Sequence, residues 1–346
     1  MKIKRFNLET DLKKLEDYLR SQYLENKNMT SWLPERLHDL IFRMDTQYTD
    51  AGKPKSSNYI FLWEDNNEIV GCILPDGDAI YMSVKKGYED LYKSIVSYAE
   101  ENCKPLFEKE EDGTIKFIII ANDSLKYRRE YLEQNGYERE KAEDYDNYVY
   151  PQEINVTVDL PKGFKLLYGD EYTDEVNKWS ACHMGFHPEL ENTNFRNDMG
   201  AYNSRKQSPM YKDSFECVII DENTDDINDV CSYCFVYVDK ASKTAFVEPV
   251  STRKPYQGKG FGKAMMHGVM LKCKELGVEK CYVNSYDWRR SFYNASGFVT
   301  EDTIGIYHKK IWKKRVVLIF LEKVLFLNFR YLFRYLPLGF PSALGS

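Results

Sequence analysis

The chain has 346 residues, 43% hydrophobic and 29% charged, a balance that allows buried cores and a length that favours two domains over one. Its net charge of -6, without a basic domain, argues against a dedicated nucleic-acid binder. The N-terminus lacks the apolar run of a signal peptide, so a cytoplasmic protein is expected, and the eight scattered cysteines read as reduced, mostly buried thiols.

The first half opens with a short strand at 3–6. Helical periodicity follows through Leu12, Leu15, Tyr18, Leu19 and Tyr23, and a second series runs through Leu33, Leu37, Leu40 and Ile41. Strands are expected at 59–63, 68–74 and 79–84, the first two joined by a turn at 65–67. A helix at 89–101, an apolar strand at 115–121, a helix at 125–134 and a strand at 145–150 complete this half. Residues 151–153 read as the connector, and 154–158 as a further strand candidate.

The second half repeats the order. Strand 164–168 is followed by helices at 171–182 and 193–201, then strands at 215–220, 230–238 and 245–250. A helix at 262–276, a strand at 280–284, a helix at 288–295 and a strand at 304–308 end it. Cys231 and Cys234 lie three apart in an expected strand, on opposite faces, and no second pair completes a zinc set, so no metal is expected. His183 and His187 share a helical face but lack the glutamate of an HExxH motif. The repeat length, about half the chain, suggests duplication of a whole domain.

The stretch at 245–266, AFVEPVSTRKPYQGKGFGKAMM, carries the chemistry. A strand breaks at Pro255 and passes through Gln257, Gly258, Lys259, Gly260, Phe261, Gly262 and Lys263 into a helix. Alternate glycines let a ligand approach the backbone, and the unpaired N–H groups of a helix start suit a phosphate. A Walker A loop needs Ser or Thr after Lys263, where Ala264 stands. A dinucleotide fingerprint needs GxGxxG, whereas the spacing here is GxGxG. The corresponding place in the first half, 85–89, has one glycine followed by an acid, a poor phosphate cradle.

With Gln257, Gly260 and Gly262 as its Gln-x-x-Gly-x-Gly signature, and Tyr293 and Gly297-Phe298 as a second motif, the second half resembles the GCN5-related N-acetyltransferase (GNAT) superfamily. The resemblance covers roughly 160–310; the first half shares only the order of elements. It implies an α/β (α+β) protein of two tandem GNAT-like domains, each a mixed, mostly antiparallel twisted sheet flanked by helices. Residues 1–152 would form a degenerate copy and 153–310 the catalytic domain, with 311–346 an extension.

The same resemblance implies acetyl-CoA as co-substrate. Its pyrophosphate would sit on the amides of 257–263, and its pantetheine along Val250, Ser251 and Thr252, with Asn284 as a further contact. Tyr293 would be the general acid. Glu248, two residues before Val250 and on the same strand face, would be a base or a substrate anchor. Tyr286 stands where the family often has an asparagine. The implied function is acetyl transfer to a primary amine of a small molecule or peptide; a non-catalytic acyl-CoA sensor or scaffold is the alternative. Acidic residues between 170 and 191 hint at a cationic acceptor, as does any solvated charged face.

The tail from 311 to 346 carries six Lys or Arg against one Glu between apolar blocks, interrupted at Glu322-Lys323 short of a spanning helix. A packed terminal helix or a non-native end is preferred over a membrane-surface segment. Neither the acceptor nor the oligomeric state is legible.

Overall fold

A computed structural model describes residues 1–29, 32–191, 193, 195–224 and 228–312. The proposed membrane contact of the tail lies, from residue 313 on, outside the described residues.

The first half contains β1 (Lys2–Arg5), α1 (Leu8–Asn26) and α2 (Pro34–Asp39), which runs through a π-helical turn (Leu40–Met44) into α3 (Asp45–Asp50). Then come β2 (Phe61–Asp65), β3 (Glu68–Asp76), β4 (Ala79–Val84), α4 (Leu91–Asn102), β5 (Thr114–Asn122), α5 (Lys126–Gln134) and β6 (Glu138–Val149). The second half contains β7 (Phe164–Tyr168), α6 (Glu175–Phe186), α7 (Gly200–Arg205), β8 (Glu216–Asp221), β9 (Val230–Asp239) and β10 (Thr244–Thr252). It closes with α8 (Phe261–Glu275), β11 (Lys280–Tyr286), α9 (Asp287–Ala295) and β12 (Val299–Trp312).

Local chemistry explains the elements. Asn7 caps α1, its side-chain oxygen accepting from the N–H groups of Glu9 and Thr10. Leu15, Tyr18, Leu19, Gln22 and Tyr23 then recur at helical spacing and form its buried face. Asn66 and Asn67 both adopt positive φ, which lets a two-residue turn join β2 to β3 with the twist a hairpin needs.

Among the described residues twelve strands form one sheet, in the order β1-β2-β3-β4-β5-β12-β6-β11-β10-β9-β8-β7, and only β4–β5 and β10–β11 pair in parallel. The last strand of each half has crossed to the other: β12 lies against β5, β6 lies against β11, and β6 and β12 pair antiparallel in the middle. An approximate twofold relation therefore runs between these two strands. It brings the 34–50 segment of the first half beside β9 and β10 of the second, where Tyr237 donates to Asp39 at 2.9 Å.

Three segments differ from expectation. Residues 154–158 form no ladder; Ile154, Val156 and Val158 instead pack on the second-half core, and the His267 ring bonds to the Thr157 carbonyl at 2.8 Å. Helix α6 starts later than its periodicity indicates because Asp174 caps it, accepting from the Asn177 N–H. The helix expected at 193–201 begins only at Gly200; Ser180 and His183 of α6 already hold Asn197 through its backbone and side chain.

Candidate active site

Strands β10 and β11 pair only from Thr244 to Phe246, opposite Lys280 to Tyr282, and then part. On the other side of β10, the register to β9 slips by one residue between Val247 and Val250. Pro249 sits in this bulge, where the missing N–H costs no ladder bond. The bulge turns Glu248 and Val250 into the gap between the parted strands. A cavity of about 1130 Å³ opens there, lined from β10 by Glu248, Val250, Ser251 and Thr252 and from β11 by Asn284, Ser285 and Tyr286.

One end of the cavity is the glycine loop. Gln257, Gly258, Gly260, Gly262 and Lys263 line it. Gly258 and Gly260 have φ of 72° and 90°, a region costly for side-chain-bearing residues, and Gly260 caps α8 from that conformation. The first intrahelical bond there is Ala264 N–H to Gly260 C=O at 3.0 Å, which leaves the first-turn amides pointing outward. A Cβ on Gly262 would lie 2.9 Å from the Phe292 ring, so glycine keeps α8 close to α9. The Gln257 amide donates to the Thr252 carbonyl at 2.9 Å, tying loop to strand. Phe261 points into the core against Phe164 and Tyr256, so it offers the cavity only its backbone. Lys259 is exposed on the loop but is not part of the cavity wall. Together these features fit an acyl-CoA: backbone donors and Lys263 for phosphates, and an open strand edge for a pantetheine arm.

Tyr293 and Glu248 both line the cavity. Tyr293 is 7% exposed, makes no hydrogen bond among the described residues and, through burial, titrates well above the usual tyrosine range. Glu248 is pushed up to about 7, first by burial and then by the charge of Asp39, with Arg43 opposing. The 40% of its side chain that remains accessible faces the cavity rather than open solvent. Asn284 is fixed by neighbours, donating to Asp146 and accepting from Arg36 at 3.0 Å. Ser251 is buried against α6, where a Cβ on Gly185 would come within 2.6 Å of it.

Sequence reasoning missed the first-half wall. Arg43, in the π turn, holds both oxygens of Asp39 and reaches Glu248 Oε1 at 3.4 Å. Arg36 bonds Asp76 and the Tyr81 hydroxyl, each at 3.0 Å, between the rings of Trp32 and Tyr81. Charged residues at 36, 39 and 43, interleaved with leucines on a helix, were the available signal.

Among the described residues the corresponding place in the first half is built differently. Its loop amide at Gly87 already accepts an anion from within the chain, donating to the Glu89 carboxylate at 3.0 Å. Leu132, fully buried, stands four residues before Gly136, as Tyr293 stands before Gly297. Arg128 fills the space beside β4, bonding the Met82 carbonyl at 2.7 Å.

Residues 213–300 match the family model described as an acetyltransferase (GNAT) domain. The second half carries a GNAT domain. Among solved structures, a GCN5-related N-acetyltransferase from Sphaerobacter thermophilus aligns over 80% of this chain and 93% of its own, at 12% identity and a TM-score of 0.56. A tandem GNAT protein from the clavulanic acid biosynthesis pathway aligns over 87% and 97%, at 13% identity and 0.51. A GNAT-family acetyltransferase from Colwellia psychrerythraea aligns over 89% and 100%, at 11% and 0.51. These likenesses establish the fold, a mostly antiparallel sheet flanked by helices. No curated protein matches the sequence. Acyl-CoA-dependent acetyl transfer is the general chemistry of the GNAT family. Among the described residues no helix is long and apolar enough to cross a membrane.

Proposed function

We propose that the chain is an acetyl-CoA-dependent N-acetyltransferase acting on a primary amine of a small molecule or peptide, with one active site per chain, in the second half. The observation that carries this is the meeting of a raised carboxylate, Glu248, and an unbonded buried hydroxyl, Tyr293, in one cavity at the end of the GNAT loop. Bound acetyl-CoA supplies an activated acetyl thioester. The loop 257–263 and Lys263 hold its phosphates, and Val250 to Thr252 orient its arm. Glu248 takes the proton from the acceptor amine, a role suited to a base whose pKa lies near neutrality. Tyr293 gives its proton to the departing sulfur, and later recovers one from solvent. A residue serving only as a sensor's wall has no need of either group.

CoA release over a panel of amines tests this. Tyr293→Phe is expected to lower kcat about a hundredfold or more while leaving acetyl-CoA affinity intact. Equal turnover in both proteins removes Tyr293 from the chemistry. Tight acetyl-CoA binding with no turnover on any amine favours the sensor.

A further inference from the structure

We propose that the acceptor carries a second protonated nitrogen, and that Asp144 of the first half binds it. This rests on the N-acetyltransferase reading and names its substrate class.

The charges around the cavity pair off unevenly. Asp39 is taken by Arg43, Asp76 by Arg36 at 3.0 Å, and Glu140 by Lys116 at 2.6 Å. Lys53 also lines the cavity from the first half but pairs with Glu108 at 3.5 Å, so Asp144, Asp78 and most of Glu248 are left over at the end formed by the first half and β10. Lys263 and Arg289 are the cations lining the other end, beside the phosphate loop. The cavity is therefore polarised, negative where the acceptor enters and positive where the CoA phosphates belong.

Asp144 carries the argument. It lies on β6, half-buried, and has no hydrogen bond or ion pair among the described residues. Burial raises it to about 6, with only the field of Arg36 pulling it down. Three N–H groups of that guanidinium go to Asn284, Asp76 and Tyr81, and among the described residues none bonds Asp144. A carboxylate drawn out of water without a cation is costly unless something arriving from solution supplies one.

Two further observations point to a ligand here. Tyr293, over nine-tenths buried and unbonded, faces the same space. Tyr286 sits directly opposite Asp144 in the β6–β11 ladder, so both side chains share one sheet face. Its ring, 59% exposed, lies parallel to that of Trp288, 68% exposed, with centroids 6.1 Å apart. Two bare aromatic rings beside a bare carboxylate suit a protonated amine on an apolar spacer, through cation–π attraction and methylene contact. An acceptor with a single nitrogen would satisfy Glu248 and leave Asp144 unpaired.

The test compares α,ω-diaminoalkanes, from propane to octane, with the matching 1-aminoalkanes in CoA-release assays on the full chain, wild type and Asp144→Asn. At least one diamine should have a KM about tenfold to a hundredfold below that of its monoamine in the wild type, as expected for a charged hydrogen bond. Asp144→Asn should erase that preference while leaving monoamine kcat and acetyl-CoA affinity, measured by calorimetry, unchanged. The variant loses no internal bond, and its melting temperature at pH 8 should equal or exceed the wild type's. Equal KM values for diamines and monoamines, or a preference that survives Asp144→Asn, overturns the proposal alone. Absence of turnover with every amine, with acetyl-CoA still bound, overturns the acetyltransferase reading and this proposal with it.

Discussion

Arg43 is the first-half residue through which the pH dependence of the reaction can be read. It contacts Glu248 at 3.4 Å and opposes the burial that holds this carboxylate near 7. Two unit charges about 4 Å apart attract by ~4 kcal/mol at an effective dielectric of about 20. The repulsion of Asp39 on Glu248 is present in both proteins and does not offset the loss; because 40% of the Glu248 side chain stays accessible, solvent screens the pair and the net effect of Arg43→Gln is an upward shift of roughly one unit, about 1.4 kcal/mol. The sign follows from the chemistry: the base works ionised, so activity falls as pH drops through its pKa, and raising the pKa moves that limb to higher pH. At pH 7 the ionised fraction drops from about half to about a tenth, a fivefold loss in kcat/KM that a pH above 9 restores. Full pH profiles of kcat/KM with saturating acetyl-CoA measure the limb. Arg43→Lys keeps the charge and should keep the limb near 7, and it guards against the possibility that the glutamine variant unfolds. The Arg36, Asp76, Tyr286 and Tyr293 groups that also act on Glu248 are unchanged in both variants. An acid limb at the same pH in wild type and Arg43→Gln refutes the assignment of Glu248 as the base under Arg43 control.

The remaining predictions concern the loop and the sheet. Gly260→Ala forces a side chain into φ of 90° with nothing within 4 Å to clash, so it isolates a backbone cost of ~1–2 kcal/mol and should weaken acetyl-CoA about tenfold by calorimetry; unchanged affinity removes the loop conformation from binding. Calorimetry should find one acetyl-CoA per chain; two sites in the wild type would show that the first-half loop is not closed by its own carboxylate. Truncation after residue 298 removes β12 and bares both β5 and β6, so the product should be insoluble or lack a cooperative thermal transition; a soluble, cooperatively melting fragment contradicts the exchanged-strand architecture.

The loop and the placement of Tyr293 in the same cavity were legible because each is local. Gln257 to Lys263 and Tyr293 lie within one strand–loop–helix–strand–helix run, where glycine conformations and helix periodicity determine the placement. Arg36, Arg43 and Asp144 were not legible, because their partners Asp76, Glu248 and the cavity come from elements 40 to 205 residues away. Strand periodicity reveals which face is buried but not which strand lies alongside, so the exchange of β6 and β12 left no local trace. The length of β6 was also hidden: its first residues, Glu138 to Glu143, are charged because they cross-link the sheet through pairs such as Lys116–Glu140 and Arg139–Asp123. A run of charges reads as loop when those partners are out of view.

The strand exchange explains why a half without a ligand loop is retained. With β6 between β12 and β11, the strand that bears Asp144 and Asp146 becomes the neighbour of the strand that bears Asn284 and Tyr286. The same arrangement places the 34–50 helical segment over β10, so that Arg43 reaches Glu248 and Arg36 reaches Asn284. A second half folded alone would keep the glycine loop and Tyr293, and it would lose both the cation beside its base and the carboxylate beside its acceptor. The first-half loop, closed by Glu89 and with Leu132 where the second half has Tyr293, takes part in none of these contacts. On the proposed function the division of labour is between donor and acceptor: the second half would bind and activate the acetyl donor, and the first half would shape what receives it.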